Sequence, residues 1–326
     1  MSTLSEALRT NYSIAVSQAA RQGHIYTIKS GKESYTLRLV QTDTATLERV
    51  HSIKSALYEK GFTEMDNYIL TNDGLPYAYI DDRLYVLSKG IRGNAIDFSS
   101  EAMTLDFIRL IAKLHTFSLD GEMPAGGESI TEAYARQIKT LRQLKLRASA
   151  YSKGKYSDTD ILFIKSYPEM IELAESCFEE IAAIDYTPSE GEFCHNRLKE
   201  ENILFSCSGV YLSGWEFITG RAYLCDLSDF ILRYLKKSAA PIALDTLIEG
   251  YHKIRPLSDT EVRLLKTMLL FPSKYIASFE SYYSKNRVWT PASIVKKTHE
   301  AIVRSASIDR YVLNSEVGIN ENKETN

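Results

Sequence analysis

The sequence predicts an α+β protein of two lobes, a small mixed β-sheet lobe followed by a larger, mainly helical lobe. Three observations carry that expectation. At 326 residues the chain exceeds the roughly 250–300 residues at which one core stops growing and chains divide. Up to residue 90 the apolar residues come in short alternating runs, the period of strands. Beyond that point they recur at spacings of three and four, the period of helices.

Residues 12–16, 24–29 and 34–40 alternate as strands, with Ser30-Gly31-Lys32 as a hairpin turn. Leu47, Val50, Ile53, Ala56 and Leu57 then predict a helix over 44–60, with Asp43 or Thr44 as cap and Gly61 as stop. Short strands are expected at 68–70 and 84–87. Lys89-Gly90-Ile91-Arg92-Gly93 reads as the linker, so the small lobe is placed at 1–90 and the helical lobe at 91–313. A helix is predicted over 100–117, with Phe107, Leu110, Ile111 and Leu114 on one face, and others over 130–150 and 158–184. A loop at 194–202 follows, then a hairpin across Cys207-Ser208-Gly209 and more helices from Leu224 onward. Residues 314–326 have few apolar side chains and read as a disordered tail.

Composition narrows the function classes. With 44% hydrophobic and 25% charged residues, the chain has ordinary soluble character. A net charge of -3 argues against nucleic-acid binding, which needs a basic field. No apolar run approaches about 18 residues, so no membrane span is expected. Met1-Ser2-Thr3-Leu4-Ser5-Glu6 lacks the basic-then-apolar order of a signal peptide, and synthesis in the cytoplasm is the expectation. Cys177, Cys194, Cys207 and Cys225 form no Cys-x-x-Cys pair, which favours small buried thiols over a zinc or redox site. The 21 tyrosines against 12 phenylalanines predict half-buried rings with hydroxyls at water.

The chemistry concentrates in His195-Asn196-Arg197-Leu198-Lys199-Glu200-Glu201-Asn202-Ile203-Leu204-Phe205. A kinase catalytic loop reads His-x-Asp-x-x-x-x-Asn and then an apolar strand; its Asp accepts the acceptor hydroxyl's proton and its Asn holds magnesium. His195 and Asn202 stand in that frame, but Arg197 occupies the Asp position. A guanidinium stays protonated and cannot be a general base. His195 itself reads as a structural residue of the loop, and Asp226 either holds that loop from below or caps a helix. In the small lobe, Arg38 occupies the strand position where a lysine grips nucleotide phosphates, and Glu48 is its candidate helix partner. Arg38 and Glu48 thus mark a candidate nucleotide cleft, although an arginine fork does not replace a lysine neutrally. Gln18-Ala19-Ala20-Arg21-Gln22-Gly23, read as the loop between the first two strands, offers one glycine where a phosphate-hugging loop usually needs several.

Several further segments carry a family resemblance: Gly61-Phe62, Tyr85-Val86-Leu87, the helix Leu110-Ile111-Ala112-Lys113-Leu114-His115, and above all Ile248-Glu249-Gly250-Tyr251-His252-Lys253-Ile254-Arg255-Pro256-Leu257-Ser258 with Leu269-Leu270-Phe271-Pro272-Ser273-Lys274-Tyr275. On these the chain, to about residue 300, resembles the CotS family of bacterial endospore coat proteins, themselves similar in fold to aminoglycoside phosphotransferases and choline kinases. The resemblance implies a two-lobed protein-kinase-like fold and deposition in the spore coat with other coat proteins. In the working kinases a second metal-binding Asp precedes Trp-Glu. Here Trp215-Glu216 is kept and Gly214 stands in the Asp position, leaving Asn202 as a metal candidate with Glu216 as a substitute. Taking 210–216 as a strand, Glu216 would share Gly214's face. Loss of a general base costs about 10²–10⁴ in rate, and the loss of metal electrostatics costs more. The expectation is therefore a catalytically inactive pseudokinase, a structural and interaction component of the coat, with no cofactor. The alternative is a divergent small-molecule phosphotransferase using ATP and magnesium, with Glu200, Glu201 or Glu216 as stand-in. A binder that keeps the old acceptor pocket is a third reading.

Overall fold

The computed structural model describes residues 2–119, 128–150, 156–184, 186–284 and 292–315. The chain divides into two compact units, residues 1–125 with 189–226, and residues 126–188 with 227–326.

The first unit opens with α1 (Ser2–Tyr12) and continues through β1 (Gln18–Gln22), β2 (Ile25–Ser30), β3 (Glu33–Leu39), α2 (Thr44–Glu59), β4 (Ala78–Ile80) and β5 (Arg83–Lys89). The strands form one sheet in the order β1-β2-β3-β5-β4, antiparallel at every pairing. Leu8, Ile28, Leu37 and Leu87 lie at the centre of its core. The strand expected at 12–16 is instead the end of α1 and a loop. Leu8 and Tyr12, four apart and both buried, obey the helical period rather than the alternation of Tyr12, Ile14 and Val16. The stretch read as a loop at 18–23 is in fact the polar, largely exposed edge strand β1. At 68–70 the only pairing is a single bridge from Tyr68 to Ser88.

Helix α2 starts where Asp43 accepts a hydrogen bond from the Thr46 N–H at 2.7 Å, satisfying one of the free donors of the first turn. It stops at Gly61, whose φ of +98° is the left-handed conformation glycine adopts without strain. The first unit also holds β6 (Asn94–Ala95), α3 (Glu101–Leu114), β7 (Phe193–Cys194), β8 (Ile203–Ser206), β9 (Gly209–Leu212) and β10 (Thr219–Gly220). The boundary expected at residue 90 falls inside this unit, because β6 pairs with β8. Gly93 lies so close to β8 that a Cβ there would be 2.3 Å from the Phe205 carbonyl oxygen. β8 and β9 form the expected hairpin, with exposed Cys207 in its turn; Cys177, Cys194 and Cys225 are buried.

The second unit is helical: α4 (Ile130–Ala150), α5 (Asp158–Ala183), α6 (Leu224–Lys237), whose first turn closes the first unit, α7 (Leu244–His252), α8 (Asp259–Leu270), α9 (Ser273–Tyr283) and α10 (Ala292–Leu313). Capping boxes start α5 at Ser157 with Asp160 and α8 at Ser258 with Glu261. Pro272 follows α8 and caps α9, as its missing N–H favours. Several tyrosines lie deeper than composition suggested. Tyr275 and Tyr283 pack around Phe163, and their hydroxyls meet Ser166 at 2.9 Å and Asp160 at 3.1 Å rather than water. Of the expected tail, Asn314 and Ser315 are described, and the Ser315 hydroxyl donates to Asp245; residues 316–326 lie outside the described residues. No helix among the described residues is long and apolar enough to cross a membrane.

Candidate functional site

The site is built on the loop between β7 and β8. Its first residues turn sharply, and Asn196 takes a left-handed φ of +60° that asparagine tolerates better than most residues. Its amide holds the turn by donating to the Phe217 carbonyl at 2.9 Å and the Thr219 hydroxyl at 2.8 Å. Asp226, in the first turn of α6, accepts from the backbone N–H of His195 at 2.5 Å and of Asn196 at 2.8 Å. It therefore holds the loop from below, one of the two roles its position allowed.

His195 is fully buried. Its Nδ1 accepts from the Arg197 N–H at 3.2 Å, and its ring meets Trp215 edge to face at 4.9 Å. Burial pushes its pKa down to about 4, against the opposing pull of Asp226. The imidazole is neutral at physiological pH and shapes the loop.

Asn202 ends the 3-10 turn Glu200–Asn202 and is 2% exposed. Its Nδ2 donates to the Arg197 carbonyl at 3.0 Å. Its Oδ1, the atom that would face a metal, accepts from Arg38 Nη1 at 3.0 Å. Arg38 Nη2 donates to the Ser213 hydroxyl at 2.9 Å. The fork of one arginine on β3 is thus tied to the loop by two bonds.

The segment after β9 corrects the expected strand over 210–216. β9 ends at Leu212, Gly214 is left-handed at φ 81° and ψ 51°, and Trp215–Phe217 is a 3-10 turn. A Cβ at Gly214 would stand 2.6 Å from both Oδ1 and Nδ2 of Asn202. An aspartate there would meet both that clash and the left-handed strain of a residue with a Cβ. The strand-alternation argument for Glu216 therefore does not apply. Its carboxylate acts instead on Lys54 and Tyr68.

Arg38, Arg197, Glu201, Asn202, Gly214 and Glu216 line one cavity of about 680 Å³ in the first unit. Glu48 does not join them. It is exposed on α2 and accepts from the Tyr77 hydroxyl at 3.1 Å. Glu200 does not line the cavity either. The charged residue that α2 does turn inward is Lys54, which is 2% exposed. Its ammonium pairs with Asp66 at 2.9 Å and sits 3.8 Å from the centre of the Tyr68 ring. Burial lowers its pKa while Asp66 raises it. The helix and strand charges of a kinase small lobe are thus rearranged: the helix carries the cation, and the strand cation reaches the loop. The sequence signal for Lys54 was its place among Val50, Ile53 and Leu57 on the apolar stripe. For Ser213 there was none.

These residues do not fit a magnesium ion. Its one remaining ligand oxygen on the loop is taken by a guanidinium, and the second ligand position is a glycine, with no side chain, where a Cβ would require the Asn202 carboxamide to shift. Among the described residues no three His, Cys, Asp or Glu side chains gather as a metal-binding group.

The fold is that of the small-molecule kinases. The aminoglycoside phosphotransferase from Alicyclobacillus acidocaldarius superimposes with a TM-score of 0.77 at 17% identity, over 95% of this chain and 96% of that one. The AMP complex of a spectinomycin phosphotransferase gives 0.72 at 14% identity, over 97% and 99%. Choline kinase LicA from Streptococcus pneumoniae gives 0.54 at 16% identity, over 93% and 98%. The chain belongs to the family described as "Spore coat putative kinase YutH", whose profile matches residues 5–314. No curated protein matches it.

Proposed function

We propose that this chain is a non-catalytic, kinase-like component of the bacterial spore coat, where it binds other coat proteins. One observation carries the reading: the Arg38 guanidinium sits on the Asn202 oxygen that a catalytic metal would need, beside a left-handed glycine where an added Cβ would press on the Asn202 carboxamide. Arg197 in the general-base position points the same way. Family membership supports the location, and the expected partners follow from it.

The test is ATP turnover by the full chain in magnesium. The reading expects ADP release no greater than in buffer and unchanged by Asn202→Ala. Magnesium-dependent turnover that Asn202→Ala abolishes would establish the divergent phosphotransferase instead, with Glu201 or Glu216 on the cavity wall as its carboxylate.

A further inference from the structure

We propose that the groove between α6 and α10 docks an acidic segment of another coat protein. Its carboxylates meet Lys236, Lys297 and Arg304, and one apolar side chain enters between Leu235 and Val303. The proposal rests on the reading of the chain as a coat-binding protein and gives that binding a surface and a partner chemistry.

Helix α10 has two faces. Ile294, Thr298, Ala301 and Val312 are buried, the spacing of a stripe packed inward. The opposite face carries Glu300, Val303, Arg304 and Ser307, and with Leu235 of α6 these line an open groove of about 430 Å³. The groove shares no residue with the cavity at the loop. Val303 is left 70% exposed and Leu235 half-buried. A partner's apolar side chain laid between them would remove that surface from water.

Charge selects the partner. Lys297 and Arg304 lie about two turns apart on one side of α10, and Lys236 and Lys237 end α6. Burial and then the Arg304 guanidinium push the Lys236 pKa down; Glu300 opposes them, while Lys237 and Lys297 add to the push. The cations thus outweigh the one carboxylate on the groove wall, and that carboxylate faces Lys296 at 3.7 Å. Lys236, Lys297 and Arg304 have no ion pair with a carboxylate among the described residues. The whole chain carries a net charge of -3, so this basic patch is local and lacks the extended field that draws in a nucleic acid. Cations around an apolar wall ask for carboxylates with an apolar side chain among them, which a peptide supplies.

The experiment is fluorescence anisotropy of labelled peptides titrated with the full chain. The probe is a glutamate peptide with one leucine per helical turn. Its controls are the same peptide with serine for leucine, the same peptide with lysine for glutamate, and an oligothymidylate. The proteins are the native chain, Val303→Asp, Arg304→Glu, the double variant Lys297→Glu with Arg304→Glu, and Leu146→Ser, which removes an exposed apolar side chain on α4. We expect the probe to bind the native chain and Leu146→Ser alike, and more weakly as salt rises. Serine in the probe, Val303→Asp or Arg304→Glu should each weaken binding at least about tenfold, as the loss of a central contact does. The double variant should reject the glutamate probe and take the lysine one, a reversal that misfolding cannot produce. No binding of the probe, or binding unchanged by Val303→Asp and Arg304→Glu, overturns the groove and leaves the non-catalytic reading standing. Oligothymidylate bound as tightly as the probe would put a nucleic acid there and overturn the acidic protein partner. Self-association in sedimentation that Val303→Asp abolishes would put a second copy there and overturn it too.

Discussion

Arg38, Asn202 and Gly214 act as one unit at the residue scale. Asn202 is fixed from both ends of its carboxamide, by Arg38 at Oδ1 and by the Arg197 carbonyl at Nδ2. Gly214 leaves the space that this arrangement fills. Reversing a single position would therefore not rebuild a metal site. His195 shows the other use of a kinase-type loop residue, as architecture. Its folded pKa of about 4 lies below the ordinary histidine value, so the unfolded chain binds a proton in a range where the folded chain does not. The stability this histidine confers is complete above about pH 6.5 and is lost as the pH falls toward 4. Roughly 3 kcal/mol is at stake at about 1.4 kcal/mol per pKa unit. Denaturant unfolding from pH 7 to 4 should show that loss, and His195→Gln should flatten it. Equal slopes in both proteins would remove the buried neutral histidine from the account.

At the scale of elements, α2 is tied to the chain that follows it by a charge rather than by apolar packing alone. Lys54 holds Asp66, and Asp66 donates its backbone N–H to the Leu212 carbonyl of β9 at 3.2 Å. Removing one partner leaves the other buried without its ion pair, at a cost of about 3–5 kcal/mol. Asp66→Ala should lose stability of that order in urea. The double variant Lys54→Met with Asp66→Leu should regain most of it, because an apolar pair of similar volume often matches a buried ion pair. A loss below about 1 kcal/mol, typical of an exposed pair, would show that this ion pair does not anchor α2. Most helices were legible, since caps and apolar stripes are local signals: Asp43 and Gly61 could be read from their neighbours. β1 was hidden because a polar edge strand carries no apolar alternation. The short strand over 210–216 was misread because a left-handed glycine breaks it one residue beyond Ser213.

For the whole molecule, the chain announced its fold more readily than its site. The loop frame from His195 to Asn202 and the segments 248–258 and 269–275 point to the kinase-like fold and the spore-coat family because each is contiguous in sequence. The decisive contact, Arg38 to Asn202, joins residues 164 positions apart, and no local pattern encodes it. Glu48 was chosen as the helix partner of Arg38 from position alone, whereas Arg38 is satisfied by the loop and the helix turns Lys54 inward. On the non-catalytic reading, the chain keeps a small-molecule-kinase fold and one of its own cations, Arg38, stands at Asn202 in place of the metal. Manganese binding followed by electron paramagnetic resonance, with and without ADP, tests that claim most directly. The account predicts no bound manganese beyond what ADP alone complexes. A stoichiometric, protein-dependent manganese signal that Asn202→Ala abolishes would contradict it.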